Sequence, residues 1–513
     1  MNKSALILFL LCIKFQTLSS QDKRGNTFIF GGGGIYATCT DTSKPLTGRL
    51  FTPPNNYSFL TSASNICDSA TGQLLMLSQG MVLYDTSGNI IENGDTLVPS
   101  KMYNHNGYPS GWCTQGSLIL PKGSNGLYYI FTPAITDSNY DYYVVGNQNK
   151  VPFDLLQYHI VDMNANGGMG KLIQKNMSLL TNVEMAKVGM MACKHANGYD
   201  WWLLKQALDT NMVYTFLVTK DTVLLDTIQG FAEPHFGYYD LWGQSCFSND
   251  GSKYAFATGG GYLNNKGAHL FITDFDRCYG ILSNIKEIYV PYDSSLTPND
   301  IIFGPYSDSL ITGVCFSPND SFLYVSRRYN LYQFDINQQD TSLSWKLIQH
   351  GPDTLYSIFS HMLYGADNRI YIGHQGCSPS SQLSVIDSPN NKGSASNYCK
   401  LCTRYDPGPC TSSPSNMPNF NMPKKEPCWP LGSMLVAVEN KQLEVYPNPS
   451  STVFYIKNRN GMKKELYTML GELLYTTTKN EIDVKHFTKG VYYLRCLPVG
   501  QTGENEVRKV IIE

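Results

Sequence analysis

Residues 315–326 read Cys-Phe-Ser-Pro-Asn-Asp-Ser-Phe-Leu-Tyr-Val-Ser, and residues 330–336 continue Asn-Leu-Tyr-Gln-Phe-Asp-Ile. The pattern is a strand, a polar turn, a second strand and a third strand that ends in aspartate. Related copies occur at residues 246–258 with 269–276 and, more loosely, at residues 362–373 with 383–387. A recurrence every ~50–70 residues is typical of β-propeller blades with insertions. Because one such unit cannot bury both of its faces alone, the repeat predicts a closed ring of blades.

Earlier parts of the chain follow the same pattern less regularly, and the segments 66–91, 117–162 and 191–218 each read as one further blade. A last blade completed by the N-terminal strand around residues 27–30 is expected from this arrangement. The sequence therefore predicts an all-β protein in which residues 21–430 form a six- or seven-bladed β-propeller, with seven blades favoured.

The N-terminus has the pattern of an export signal. Lys3 is followed by the apolar run 5–13 and then by small residues, which predicts a signal peptide over residues 1–20 with cleavage before Gln21. The run is too short to cross a bilayer, and no other segment is a candidate membrane span. A net charge of −2 with 16% charged residues shows no basic surface for nucleic acid. We therefore expect a secreted protein that lies outside the cell or on its surface.

The last part of the chain contains a separate group of short strands. Tyr446-Pro447-Asn448-Pro449 cannot be helical, because both prolines lack an N–H and favour extended residues before them. β-Branched and aromatic runs separated by glycine turns follow, up to Val507–Ile512. We expect a small immunoglobulin-like β-sandwich over residues 443–513, after a linker over residues 431–442.

These C-terminal residues resemble the type A C-terminal sorting domain of the type IX secretion system of Bacteroidetes. The positions that match the sorting-signal motif are Tyr446, Pro447, Asn448, Pro449, Gly471, Gly490, Tyr492 and Lys509. The resemblance implies that the translocon and its sorting machinery handle the protein, and that the domain is then usually removed. The product would be released or joined to the outer cell surface. The alternative is an immunoglobulin-like stalk domain.

A second resemblance covers the ring more patchily, from about Phe28 to Phe420. The stretches 117–162 and 194–202, the Phe-Ser-Pro-Asn-Asp turn and Met417-Pro418-Asn419-Phe420 are similar to a propeller-like region of large secreted Bacteroidetes proteins. That region often precedes polycystic-kidney-disease-type modules, which do not follow here. It implies the fold and no activity.

The cysteines are densest after the last repeat, at Cys399, Cys402, Cys410 and Cys428. Export permits disulfides, and we expect two of them within this loop-rich segment. A zinc site is the alternative, but the later pair is irregularly spaced and no histidine lies between the cysteines.

The sequence contains no serine-nucleophile elbow, zinc-protease helix or phosphate loop, so no catalytic residue and no cofactor is assigned. His195, His361 and His374 belong to different predicted blades and could meet at the central channel with a carboxylate, as a metal or acid–base site. Two hypotheses follow. One is a propeller that binds a surface glycan or protein, and the other is a propeller hydrolase or lyase. A purely structural surface component is not separable from the first.

Overall fold

The structure is a computed structural model. It describes residues 21–30, 35–38, 46–49, 62–104, 115–146, 152–208, 212–230, 243–258, 269–288, 290, 311–327, 330–338, 345–349, 358–375, 381–405, 413–425, 428, 443–457, 460–468, 473–497 and 506–512. The predicted signal peptide (1–20), the linker (431–442), Cys410 and Gly471 lie outside these residues, so these predictions stay untested.

Strands dominate the described residues. The first two sheets contain β1 (Thr27–Phe30), β2 (Ile35–Thr38), β3 (Leu46–Arg49), β4 (Ser64–Cys67), β5 (Leu74–Ser78) and β6 (Leu83–Tyr84). A seven-stranded sheet contains β7 (Leu118–Pro121), β8 (Leu127–Ala134), β9 (Phe153–Asp162), β10 (Lys171–Lys194), β11 (Trp201–Ala207), β12 (Met212–Val218) and β13 (Val223–Gly230).

Three four-stranded sheets follow. The first contains β14 (Ser245–Phe247), β15 (Lys253–Thr258), β16 (His269–Asp276) and β17 (Ile281–Ile288). The second contains β18 (Ile311–Phe316), β19 (Phe322–Arg327), β20 (Asn330–Asp335) and β21 (Trp345–Gln349), and the third contains β22 (Ile358–Tyr364), β23 (Ile370–Gln375), β24 (Ser381–Ile386) and β25 (Tyr398–Tyr405). The helices are short: α1 (Ser100–Tyr103), α2 (Asp137–Asn139), a π-helix (Tyr140–Val145) and 3₁₀ turns at Lys23–Gly25, Asn166–Gly168 and Gly393–Ser396.

The sheets are arranged around one axis as a β-propeller. Strands of neighbouring sheets contact each other in the series β1–β4–β7 and β10–β14–β18–β22, in which each strand except β10 is the first of its sheet. The ring closes where Phe28 of β1 packs on Tyr371 of β23, with ring centroids 4.9 Å apart. The predicted all-β propeller is therefore confirmed. The seven-stranded sheet shares the long strand β10 between two units, and the number of blades stays a prediction.

The repeat found in the sequence is explained by one recurring turn between the first and second strands. A residue four or five positions after the first strand has a positive φ in six of the described turns: Gly72, Gly126, Gly198, Gly251, Asp320 and Asn368. Glycine, asparagine and aspartate adopt this left-handed conformation most readily. At Gly251 a Cβ atom would lie 2.5 Å from Cδ of Arg277, so only glycine fits there. In four of these turns the same residue donates its N–H to the carbonyl three residues back, as in Gly251 to Ser248 at 2.9 Å and Asp320 to Ser317 at 2.9 Å.

The ring closes differently from the expectation that the N-terminal strand completes the last sheet. β1 pairs with β2 in a sheet of its own. The last sheet already has a fourth strand, β25, which pairs with β24 and lies in the cysteine-rich stretch that reads as loop in the sequence. The strand is irregular at Leu401, where φ is 50°.

Residues 443–513 contain two antiparallel sheets with their own core. One sheet holds β26 (Val445–Tyr446), β27 (Val453–Ile456) and β30 (Glu481–Asp483). The other holds β28 (Lys463–Thr468), β29 (Leu473–Thr477), β31 (Gly490–Leu497) and β32 (Glu506–Ile512). Phe454, Leu466 and Leu494 are fully buried between them. The expected small β-sandwich is confirmed.

Candidate functional site at the ring axis

The axis of the propeller is occupied by the protein's own chain. Residues 413–422, which we call the axial segment, run past the first strands of several sheets. Its backbone N–H groups at Ser415 and Asn416 donate to the carbonyls of Ile29 (3.0 Å) and Ala63 (2.7 Å). Ser413 shares a 3.4 Å hydrogen bond with Ser360 of β22. A segment can reach strands of the first, second and last sheets together only if it lies at the centre of the ring.

Asn416 is the most highly connected residue of the axial segment. Its side-chain Nδ2 donates to the carbonyls of Ser117 at 3.0 Å and Met190 at 3.1 Å. Its Oδ1 accepts from Nε2 of Gln115 at 3.0 Å, and the same Nε2 also donates to the carbonyl of Ser245 at 2.9 Å. Asn416 is 7% exposed, so these bonds are made without competing water.

The two ends of the propeller region meet beside the axial segment. The backbone N–H of Asp22 donates to Oδ1 of Asn421 at 2.8 Å, and Nδ2 of Asn421 donates back to the carbonyl of Asp22 at 2.9 Å. Nζ of Lys194 donates to the carbonyl of Phe420 at 3.0 Å. The buried Arg277 donates to the carbonyl of Pro423 at 2.9 Å. These contacts fix the C-terminal end of the axial segment against the N-terminal end of the propeller region.

A disulfide fastens the chain just beyond the axial segment. Cys428 is bonded to Cys278, which follows β16, with Cα atoms 5.3 Å apart and 150 residues between the two positions. Cys399 and Cys402 are bonded within β25, with Cα atoms 5.8 Å apart. The expectation that Cys428 pairs inside the cysteine-rich segment therefore differs from the structure, because the axial segment carries Cys428 across to the turn that holds Cys278.

The three candidate histidines have separate local partners. His195 lies in the turn after β10, where Nε2 donates to the carbonyl of Cys278 at 3.1 Å and Nδ1 accepts the N–H of Asn197 at 3.0 Å. Its ring lies 5.3 Å from the ring of Trp202. Both ring nitrogens are therefore used in holding this turn.

His361 and His374 lie on neighbouring strands of the last sheet. Nε2 of His361 donates to the carbonyl of Gly243 at 3.1 Å, whereas Nε2 of His374 shares a 2.8 Å hydrogen bond with the hydroxyl of Ser384. Burial lowers the pKa of His361 to about 4 and that of His374 to about 3. In the part of the chain that the structure describes, no three His, Cys, Asp or Glu side chains are arranged to hold a metal ion. The described residues therefore show no three-ligand metal site at these histidines, and an acid–base role for them stays a prediction.

A cavity of about 200 Å³ remains between the axial segment and the last three sheets of the ring. Cys246, Cys315 and His361 lie in its wall. Burial raises the pKa of both thiols well above the ordinary value, so the nucleophilic thiolate is disfavoured. Gln244 donates to the carbonyl of Met362 at 2.6 Å and so joins the wall together. The cavity has no activated nucleophile among its described residues.

Sequence reasoning missed Gln115 and Asn416, which organise the axis. Neither residue belongs to a repeat or a motif, and their partners lie up to 353 residues away in the sequence, from Ala63 to Asn416. A polar residue whose role depends on such distant partners leaves no local signal.

Asn448 of the sorting-signal motif links the two sheets of the C-terminal sandwich. Oδ1 of Asn448 accepts the N–H of Ile511 at 2.8 Å, so the Tyr446-Pro447-Asn448-Pro449 stretch holds the terminal strand β32. Tyr492 donates its hydroxyl to the carbonyl of Thr488 at 2.5 Å. Gly490 begins β31 opposite Ile512, and Lys509 in β32 pairs with Tyr493.

Residues 444–513 match the model of the secretion system C-terminal sorting domain. The predicted sorting domain is therefore confirmed, and it indicates export out of the cell by type IX secretion. Among the described residues, no helix has the length and apolar character needed to cross a bilayer.

No curated protein matches this chain. Similar solved structures include a provisionally assigned 6-phosphogluconolactonase from Bacteroides uniformis, with 10% identity, 76% of this chain and 99% of that chain covered, and a TM-score of 0.40. TolB from Acinetobacter baumannii shares 10% identity over 66% of this chain and 62% of that chain, with a TM-score of 0.29. The Cps50 (Swd1) propeller domain of Myceliophteria thermophila shares 11% identity over 67% of this chain and 90% of that chain, with a TM-score of 0.26. These values are low, and the propeller fold rests on the sheet order and strand contacts given above.

Proposed function

We propose that this protein is an exported binding propeller, which engages a glycan or a protein outside the cell after its C-terminal domain has directed it through the type IX secretion system. The occupied axis supports binding over catalysis. In a propeller, the channel is where strands of several sheets could bring catalytic side chains together. Here Asn416 and its hydrogen-bonded partners occupy that position.

The proposal has two parts, and the first concerns the route. The full chain and a chain that lacks residues 443–513 would be expressed in a strain with an active type IX system. We expect the full chain in the culture medium or on the outer surface, and the shortened chain in the periplasm. Equal amounts of the two chains outside the cell would contradict the route.

The second part concerns binding without turnover. Exported protein would be applied to glycan and protein arrays, and in parallel incubated with lactones and polysaccharides while products are measured. Saturable binding with no product supports the proposal. Turnover that a channel variant such as His361→Gln abolishes would instead establish the hydrolase or lyase alternative.

A further inference from the structure

A second cavity lies away from the axis, on the face that carries the turns between first and second strands. Its walls are the turns after β7, β10 and β12, at residues 121–127, 198–201 and 218–221. Its volume is about 930 Å³, within the range of pockets that hold small ligands. No part of the axial segment lies in its wall. This cavity is therefore separate from the cavity beside the axial segment.

Two lysines in this cavity have only neutral partners. Nζ of Lys122 donates to the hydroxyl of Tyr129 at 3.0 Å and to the carbonyl of Lys220. Nζ of Lys194 donates to the carbonyl of Phe420 at 3.0 Å. Neither ammonium forms an ion pair with a carboxylate among the residues that the structure describes. Each ammonium has three N–H donors, so donors remain after these bonds are counted.

The other cations of the cavity have carboxylate partners. Nζ of Lys220 lies 3.0 Å from Asp221, and Nη1 of Arg24 lies 2.5 Å from Asp22. Lys122 and Lys194 differ from these two cations because their hydrogen-bond partners are neutral. Burial lowers the pKa of both lysines, although the carboxylates of Asp221 and Asp22 act in the opposite direction on Lys122 and Lys194 respectively. A bound anion would stabilise both charged forms further.

Two further donors in the same wall have no acceptor. Nε1 of Trp201 and Nε of Arg24 are buried, and neither has a hydrogen-bond partner among the described residues. Trp201 as a whole is 1% exposed. A buried donor without an acceptor is unfavourable and calls for an explanation. A ligand in the cavity would meet the two ammonium groups, and the carboxylates of Asp200 and Asp221 lie in the same wall.

The rim of the cavity adds a flat apolar surface. The ring of Tyr199 is 77% exposed at the cavity mouth, and Nζ of Lys424 lies 5.6 Å from its centroid. Aromatic rings present such faces to the C–H side of sugar rings. Ser124 and Asn125 line the same rim and offer hydroxyl and amide groups.

We propose that this cavity binds an acidic saccharide, with the carboxylate of the sugar between Lys122 and Lys194 and a sugar ring against Tyr199. The assignment rests on the proposed binding function and names its ligand class and its site. Charge-assisted hydrogen bonds from two ammonium groups would select an acidic sugar over its neutral counterpart.

The test compares trigalacturonic acid with neutral galactotriose by isothermal titration calorimetry on the exported protein at low salt. We expect the acidic trisaccharide to bind at least about tenfold more tightly, because charge-assisted bonds are the stronger ones. Lys122→Met and Tyr199→Ala should each weaken its binding by about tenfold. Lys171→Met is the matched control, since its ammonium pairs with Glu92 at 2.6 Å outside the cavity, and it should bind as the wild type does.

Equal affinity for the two trisaccharides, or unchanged affinity in both cavity variants, would overturn the inference. Tyr199→Ala alters an exposed side chain and keeps the test valid if Lys122→Met does not fold. Array binding of another glycan or protein that survives both substitutions would overturn the cavity assignment and leave the proposed function standing. Absence of any ligand on the arrays would count against the proposed function itself.

Discussion

Replacing Asn416 with alanine tests whether the axial segment holds the ring together. The substitution removes three hydrogen bonds, to Ser117, Met190 and Gln115, at 3.0, 3.1 and 3.0 Å. A buried hydrogen bond contributes about 1 kcal/mol net, and more is lost where a partner stays buried without a replacement. We therefore expect the free energy of unfolding of the propeller to fall by about 3 kcal/mol.

The matched control is Asn421→Ala, in the same segment. Asn421 also makes two hydrogen bonds through its side chain, both with Asp22, but it is exposed, so water can replace them. We expect a loss below about 1 kcal/mol for this variant. Comparing the two variants shows whether the loss of stability depends on the burial of the side chain at the axis or only on the number of hydrogen bonds removed.

The assay is urea unfolding followed by tryptophan fluorescence. All six tryptophans precede residue 443, so the signal reports the propeller and not the sorting domain. The midpoint should fall for Asn416→Ala with an unchanged slope. Wild-type stability in Asn416→Ala, or an equal loss in Asn421→Ala, would refute the claim that the axial segment is the central support of the ring.

Three further predictions concern acid, the disulfide and sorting. Because His361 is neutral when folded, with its pKa lowered from 6.5 to about 4, its contribution to stability is present above pH 6.5 and is lost as the pH falls towards 4. The free energy of unfolding from urea titrations should fall by about 1.4 kcal/mol per pH unit from this group, and His361→Gln should remove that part of the pH dependence. Cys428→Ser should lower the stability of the propeller by about 2–5 kcal/mol, measured by thermal unfolding. Cys278→Ser should have the same effect, and the double variant should lose no more stability than either single variant. Asn448→Ala removes the acceptor for Ile511 and should lower the exported fraction, whereas Lys457→Ala, which breaks only an exposed ion pair with Glu444, should leave it unchanged in a medium-to-cell immunoblot.

The sequence predicted those parts of the protein that local chemistry determines. The turn residues Gly251, Asp320 and Asn368 need a left-handed backbone, and this requirement produced a visible repeat. The Tyr446-Pro447-Asn448-Pro449 stretch marked the sorting domain for the same reason, since prolines restrict the backbone wherever they occur.

Features that depend on distant partners could not be predicted in the same way. The pairing of Cys278 with Cys428 joins positions 150 residues apart, and cysteine spacing alone does not give connectivity. The strands carrying His361 and His374 were recognisable, but the direction of each side chain depends on register and bulges. Strand β25 was hidden because its cysteines suggested a loop.

The axial segment also affects the rates at which the propeller folds and unfolds. Its hydrogen bonds join residue 416 to residues 226 to 353 positions earlier in the chain, and such contacts form only once the intervening chain has been ordered. Interactions that form late contribute little to the folding rate and mainly slow unfolding. A protein that works outside the cell meets proteases that cut transiently opened chains, and slow opening of the ring would prolong its lifetime there.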